Sequence, residues 1–299
     1  MKKYRFLPLI TGVVLSSMVI SCGGGDDEEP FQSDEFKGKV ASYSISGNTL
    51  TLTKDWKNSS AFYANTTNQM ELWDFYAQLI PSDLRPQMVK LELFADKDDD
   101  TGAYVSPINE NDLSKWELGF NMAYVWSDTF VFNKSEVAHN SVHEYAHVLT
   151  LNNTQVVAGG SEDNCSTFFP GEGCSKSASY INQFFQNYWT DIYDESQAFD
   201  EDDDAAFFAF YDKYSTRFVT EYASTNPGED IAESFARFVL LDQPTGSQIK
   251  DQKVRFFYEF QELVTIRSQI RAGIDFDFDI NQIGAARLER SRLGVSPVF

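Results

Sequence analysis

At 299 residues, 42% hydrophobic and 15% aromatic, the chain is long enough for one large domain or two small ones and can fill a core. Its formal net charge is −21. Such a surface repels phosphate backbones and argues against nucleic acid as a partner; it favours cations and basic peptides, although acidity of this kind more often serves solubility than specificity.

The first 21 residues read apart from the rest. Lys2, Lys3 and Arg5 form a basic head, Phe6 to Ile20 an apolar run, and Ser21 precedes Cys22. That is the layout of a secretory signal, too short for a durable transmembrane helix. The ending "VISC" resembles a bacterial lipobox, which implies that Cys22 is lipidated and becomes the mature N-terminus, held in the membrane by acyl chains. Residues 22–34 begin with "CGGGDDEEP", a flexible acidic stretch with nothing to start a core, and read as a tether. The stretch is similar to the acidic surface-export signal of some Gram-negative lipoproteins, and Gly23 after Cys22 is compatible with outer-membrane sorting. The expected location is therefore the outer membrane, lipid-anchored and surface-exposed. Residues 35–299 read as one folded domain.

"VASYSISGNTLTLTKDW" (Val40 to Trp56) alternates around Ser46-Gly47-Asn48 and predicts a β-hairpin. Glu71 to Pro81 predicts a helix ended by proline. Val89 to Ala95 alternates as a strand. "AYVSPI" and "KWELGFN" follow, the second with Trp116, Leu118 and Phe120 on one face. In "DKDDDTG" (Asp96 to Gly102) carboxylates alternate as in a calcium loop. The glycine comes one place late, however, and Pro107 stands where an EF-hand needs glutamate. A solvated hairpin tip is the better reading. From Ser135 onward the pattern is mostly helical, over 135–152, 177–194, 204–222, 227–241 and 248–272. "DEDDD" (Asp200 to Asp204) reads as a solvated loop before a helix. Strands first and helices after predict an α+β fold, a small mixed sheet followed by a mostly helical C-terminal part.

With Cys22 set aside, Cys165 and Cys174 remain as an even pair in a chain bound for an oxidising compartment. "CSTFFPGEGC" turns through Pro170 and Gly171, and a disulfide is expected. Two free buried thiols are the alternative.

The chemistry concentrates in "SVHEYAHVLTLN" (Ser141 to Asn152). The chain has three histidines, and all of them fall between 139 and 147. On a helix His143 and His147 stack on one face about 6 Å apart along the axis, which suits two imidazoles on one tetrahedral zinc ion. Glu144 projects about 100° from His143, near enough to reach a water on the metal without ligating it. The bland alternative is a buried helix whose histidines make ordinary hydrogen bonds. It leaves a His, a Glu and a His to satisfy among apolar neighbours, at high cost. His139 shares the face, but lies about 12 Å from His147 along the axis, too far to share an ion.

A third ligand must come from elsewhere. Neither the glycine nor the third histidine of a metzincin follows the motif, so a carboxylate is required. The candidates lie in "EYASTNPGEDIAESFARFVLLD", where Asn226-Pro227 starts a helix. Glu229 and Glu233 share a stripe with Ala232, Ala236 and Leu240, while Asp230 falls on the other side with Ser234 and Arg237. Glu229 is equally well placed to close a capping box with Asn226.

"YASTNPGEDIAESF" (Tyr222 to Phe235) resembles the segment that carries the zinc-ligand glutamate in anthrax lethal factor and related gluzincin peptidases. The resemblance implies a zincin-like fold, Glu229 as third zinc ligand, Glu233 as the carboxylate orienting a ligand histidine, and Tyr222 as the hydroxyl that steadies the tetrahedral intermediate. With the lipobox, the chain also resembles zinc metallopeptidase lipoproteins associated with nutrient-import systems. Components of such outer-membrane systems are therefore expected partners. The specific likeness covers 135–152 and 222–241.

Taken together, these readings predict a hydrolase using one zinc ion held by His143, His147 and Glu229. Glu144 is the general base, and a peptide or protein is the substrate, added as a strand along a sheet edge, with "KWELGFN" as the expected edge. Two other classes remain open. One is a non-catalytic surface lipoprotein that captures peptides or glycans, and the other is an amidase acting on a non-protein amide.

Overall fold

The computed structural model describes residues 38–57, 60–97, 101–126, 131–199 and 203–283. The signal, Cys22 and the tether lie outside these residues, as do parts of the two acidic stretches at 96–102 and 200–204. Among the described residues, no helix is long and apolar enough to cross a membrane.

The fold is α+β, a five-stranded mixed sheet followed by a largely helical part. β1 (Lys39–Ser46) and β2 (Thr49–Asp55) form the expected hairpin, turning at Gly47 with φ of 58°, where glycine is the residue that suffers no Cβ penalty. Helix α1 (Thr66–Leu79) begins five residues before its apolar pattern does, because Asn65 caps it by accepting from the Thr67 N–H at 2.9 Å. It buries Leu72, Trp73, Tyr76 and Leu79, and the Tyr76 ring meets Phe120 of the sheet with centroids 5.9 Å apart. Arg85 fastens the hairpin to this layer. Its buried guanidinium donates to Ile80 O, Gly47 O and Asn48 Oδ1 at 2.7, 2.8 and 2.7 Å and lies over the Trp73 ring.

β3 (Met88–Phe94), β4 (Ala103–Asn109) and β5 (Asp112–Asn121) complete the sheet in the order β2-β1-β3-β5-β4. β5 pairs with β3 in parallel and with β4 antiparallel, in register Leu91↔Leu118↔Val105. The expected edge at "KWELGFN" is therefore wrong. β5 is an interior strand with both sides paired, and Trp116, Leu118 and Phe120 are all buried. The outer strands are β2 and, beside β5, β4, and Pro107 within β4 suits an edge, where a missing N–H costs no ladder bond.

After the single turn α2 (Met122–Val125), α3 (Lys134–Leu151) carries the histidines, capped by Asn133. A small hairpin absent from the predicted pattern follows, β6 (Val156–Ala158) with β7 (Gly173–Ser175). The Cys165–Cys174 disulfide closes its loop.

The predicted helix 177–194 is two helices, α4 (Tyr180–Tyr188) and the single turn α5 (Tyr193–Ser196). The chain leaves the helix at Trp189, whose indole N–H reaches in to Asp230. α6 (Asp204–Tyr214) stops short of 222, where Arg217 turns back to donate to Asp191 and to the Tyr188 carbonyl. α7 (Pro227–Leu240) forms as expected, with Pro at its first position. The last predicted helix breaks at Phe257–Phe260 into α8 (Ile249–Phe256) and α9 (Gln261–Ala272). The break turns Phe257 into the core against Phe235 and Phe238.

α7 is the central pillar. Every residue of it but Arg237 is buried. Its terminal carbonyls, which have no partner within the helix, accept from Arg267 and Arg271 of α9. α3 lies against it, Tyr145 on Phe235, with Ala232 and Ala236 fully buried.

Candidate metal centre

α3 and α7 hold the site between them. The four-residue spacing puts the His143 and His147 rings side by side, centroids 4.8 Å apart. Their Nε2 atoms stand 3.1 Å from each other. Glu229 completes a triangle, its Oε2 lying 3.1 Å from His143 Nε2 and 3.4 Å from His147 Nε2. Donor atoms on a tetrahedral zinc ion, with bonds of about 2.0–2.1 Å, sit roughly 3.3 Å apart. The three residues thus form a group that can hold a metal ion.

Of the capping box expected at Glu229 only the Asn226 half forms, and the Glu229 side chain serves the metal group instead. Its backbone N–H is capped by Asn226 Oδ1 at 2.9 Å, while its carboxylate faces the imidazoles. A full capping box would have turned that carboxylate back on Asn226.

Behind the triangle, Glu233 Oε1 accepts from His143 Nδ1 at 2.9 Å. That leaves the lone pair of Nε2 directed at the group's centre. Glu233 is held in turn by the Thr220 hydroxyl at 2.8 Å and approached by His139 Nε2 at 3.4 Å. His139 is thus a neighbour of the site through Glu233, as its distance along the helix requires. Burial works against a charged His143, yet hydrogen bonds to Glu229 and Glu233 raise its pKa well above the ordinary value. Two carboxylates converge on one imidazole, and their charge is offset either by a proton on that ring or by a metal ion at its Nε2.

Glu144 is 8% exposed. Burial raises its pKa, against the lowering influence of His143 and His147 and, more weakly, of the Val105 backbone in β4. Edge strand β4 therefore runs directly past it. The Tyr222 ring, in a short 3-10 turn before α7, has its centroid 5.8 Å from that of His143.

Two neighbours of this group were not foreseen from sequence. Thr220 carries no motif, and only the turn that returns its hydroxyl to Glu233 identifies it. Glu172, in the disulfide-closed loop, interacts electrostatically with His147 and Glu229. Comparison with protein-family models, curated proteins and solved structures finds no match to this chain.

Proposed function

We propose that this protein is a zinc-dependent metallopeptidase of the gluzincin type, lipid-anchored through Cys22 at the outer-membrane surface beside nutrient-import components. The observation that carries the catalytic part is the triangle of His143, His147 and Glu229 donor atoms with Glu144 adjoining it.

Zinc held by His143, His147 and Glu229 would supply a Lewis acid and lower the pKa of water at that point. Glu144 removes a proton from the water as it attacks the peptide carbonyl carbon. It then returns that proton to the departing amine nitrogen as the C–N bond breaks. Its burial suits the shuttle, because a raised carboxylate pKa brings proton release closer to neutral pH. The Tyr222 hydroxyl donates to the carbonyl oxygen as it gains charge. Glu233 keeps the His143 ring oriented, and Thr220 keeps Glu233 in place. The substrate lies extended along β4, the strand beside Glu144, and adds itself to the sheet there.

The test is digestion of a peptide library by the zinc-loaded protein, with and without chelator, alongside Glu144→Gln. The expected result is chelator-sensitive cleavage by the native chain and none by the variant, with zinc bound equally by both. Bound zinc with no peptide cleaved would favour the peptide-binding or amidase readings instead.

A further inference from the structure

The loop closed by the disulfide presents a carboxylate that the catalytic scheme does not use. Glu172 sits between Gly171 and Gly173, whose φ values of 117° and 158° suit glycine. A Cβ on Gly173 would come within 2.0 Å of the Val157 carbonyl oxygen, so the strand pairing there leaves no room for a side chain. The Glu172 carbonyl accepts from the Gly159 N–H at 2.8 Å, and Cys174, two residues on, is bonded to Cys165. The backbone that offers this side chain is held on both sides.

The side chain itself is not compensated. Glu172 is partly exposed, but its Oε2 is buried with no hydrogen-bond partner. Among the described residues no lysine or arginine contributes to its electrostatics. The charges it responds to are those of His147 and Glu229, and the hydrogen bond it gains comes from its own backbone N–H. It is not part of the group of donors that can share one ion with them. An unmet carboxylate oxygen is costly, and proteins tolerate such costs at binding sites. Rotation about the last side-chain bond of glutamate is soft, so the carboxylate can turn toward a ligand that approaches it.

We propose that Glu172 is a specificity residue, its carboxylate receiving a cationic nitrogen of the peptide substrate next to the metal group. This rests on the peptidase reading above. The nitrogen belongs to a lysine or arginine side chain or to a free N-terminus, and the same ion pair serves either. Burial pushes the Glu172 carboxyl up to about 7, and an arriving cation favours its ionised form. The net charge of −21 draws basic peptides toward the surface in the first place.

Calorimetry on the zinc-loaded Glu144→Gln protein, which binds without hydrolysing, tests the proposal. The probes are end-blocked decapeptides with one lysine placed at each position in turn, their norleucine counterparts, and a norleucine peptide with a free N-terminus. One lysine position, or the free terminus, is expected to bind at least about tenfold tighter than the neutral peptide. Adding Glu172→Gln is expected to erase that preference, with norleucine-peptide affinity and zinc content unchanged and the melting temperature equal or higher. Which probe gains identifies the source of the cation. A preference that survives Glu172→Gln, equal binding of all probes, or a variant that weakens every peptide alike with a lower melting temperature overturns it. Equal binding of all probes, with the native chain still cleaving peptides, would leave the peptidase reading standing. A zinc-loaded protein that binds no peptide overturns both.

Discussion

His143 Nδ1 and Glu233 Oε1 stand 2.9 Å apart, and Thr220 holds the other carboxylate oxygen at 2.8 Å. The His143 ring is thereby oriented from behind by a chain of two hydrogen bonds that starts outside α7. Glu233→Gln is expected to lower zinc affinity by about 10–100-fold. Thr220→Val, which keeps the shape but removes the hydroxyl, is expected to give a smaller loss in the same direction. Competition with a chromophoric chelator measures both. Unchanged affinity in Glu233→Gln would remove that residue from the metal centre.

On the opposite side of α7, Asp230 pairs with Lys253 in full burial, and the Trp189 indole also donates to it at 2.7 Å. Lys253→Met leaves a buried carboxylate uncompensated and is expected to cost about 3–5 kcal/mol. Combining it with Asp230→Asn is expected to recover most of that loss, because the uncompensated charge is gone. Urea unfolding of the two single variants and the double variant provides the cycle. Strict additivity would contradict a direct pair.

Removing the disulfide by Cys165→Ser with Cys174→Ser is expected to destabilise the chain by about 2.7 kcal/mol, the chain-entropy value for a loop of roughly ten residues. Zinc binding should persist, since none of the three ligand residues lies in that loop. Denaturation and metal titration of the same sample separate the two effects.

Glu172 gives a pH signature with a definite sign. Burial holds its carboxyl near about 7 in the folded chain, against roughly 4.3 when unfolded. Between those values the folded state keeps a proton that the unfolded state has released. The stabilisation is complete below the unfolded value and is lost as pH rises through the folded one. Metal-free native chain is therefore expected to lose stability across this window relative to Glu172→Gln, by an amount on the order of 3–4 kcal/mol. Parallel stability curves for the two proteins would show that Glu172 does not titrate this way.

How much of this was legible in advance depended on the range of the interactions involved. The hairpin around Gly47 and the entry to α7 at Asn226-Pro227 are set by neighbours in the chain. So is the alignment of His143 with His147, because helical pitch alone brings residues four apart onto one face. The helix breaks at Trp189, Arg217 and Phe257 were not legible. Each occurs where a side chain leaves a locally acceptable helix to reach a partner far along the sequence, Asp230 for Trp189 and Asp191 for Arg217.

Local pattern, then, determined the α+β order, two ligand histidines and a short list of carboxylates. Tertiary structure decided the rest. β4 and β5 are both strands by pattern, and only non-local pairing with β3 makes one interior and the other an edge beside Glu144. Glu229 is a sound helix cap by sequence, and only the docking of α7 on α3 turns its carboxylate onto the imidazoles. Thr220 and Glu172 acquire meaning in the same way, from partners 13 residues and more away. Periodicity along a chain reports which face of an element is apolar, whereas a site depends on which elements meet, and that is settled by the packing of the whole core.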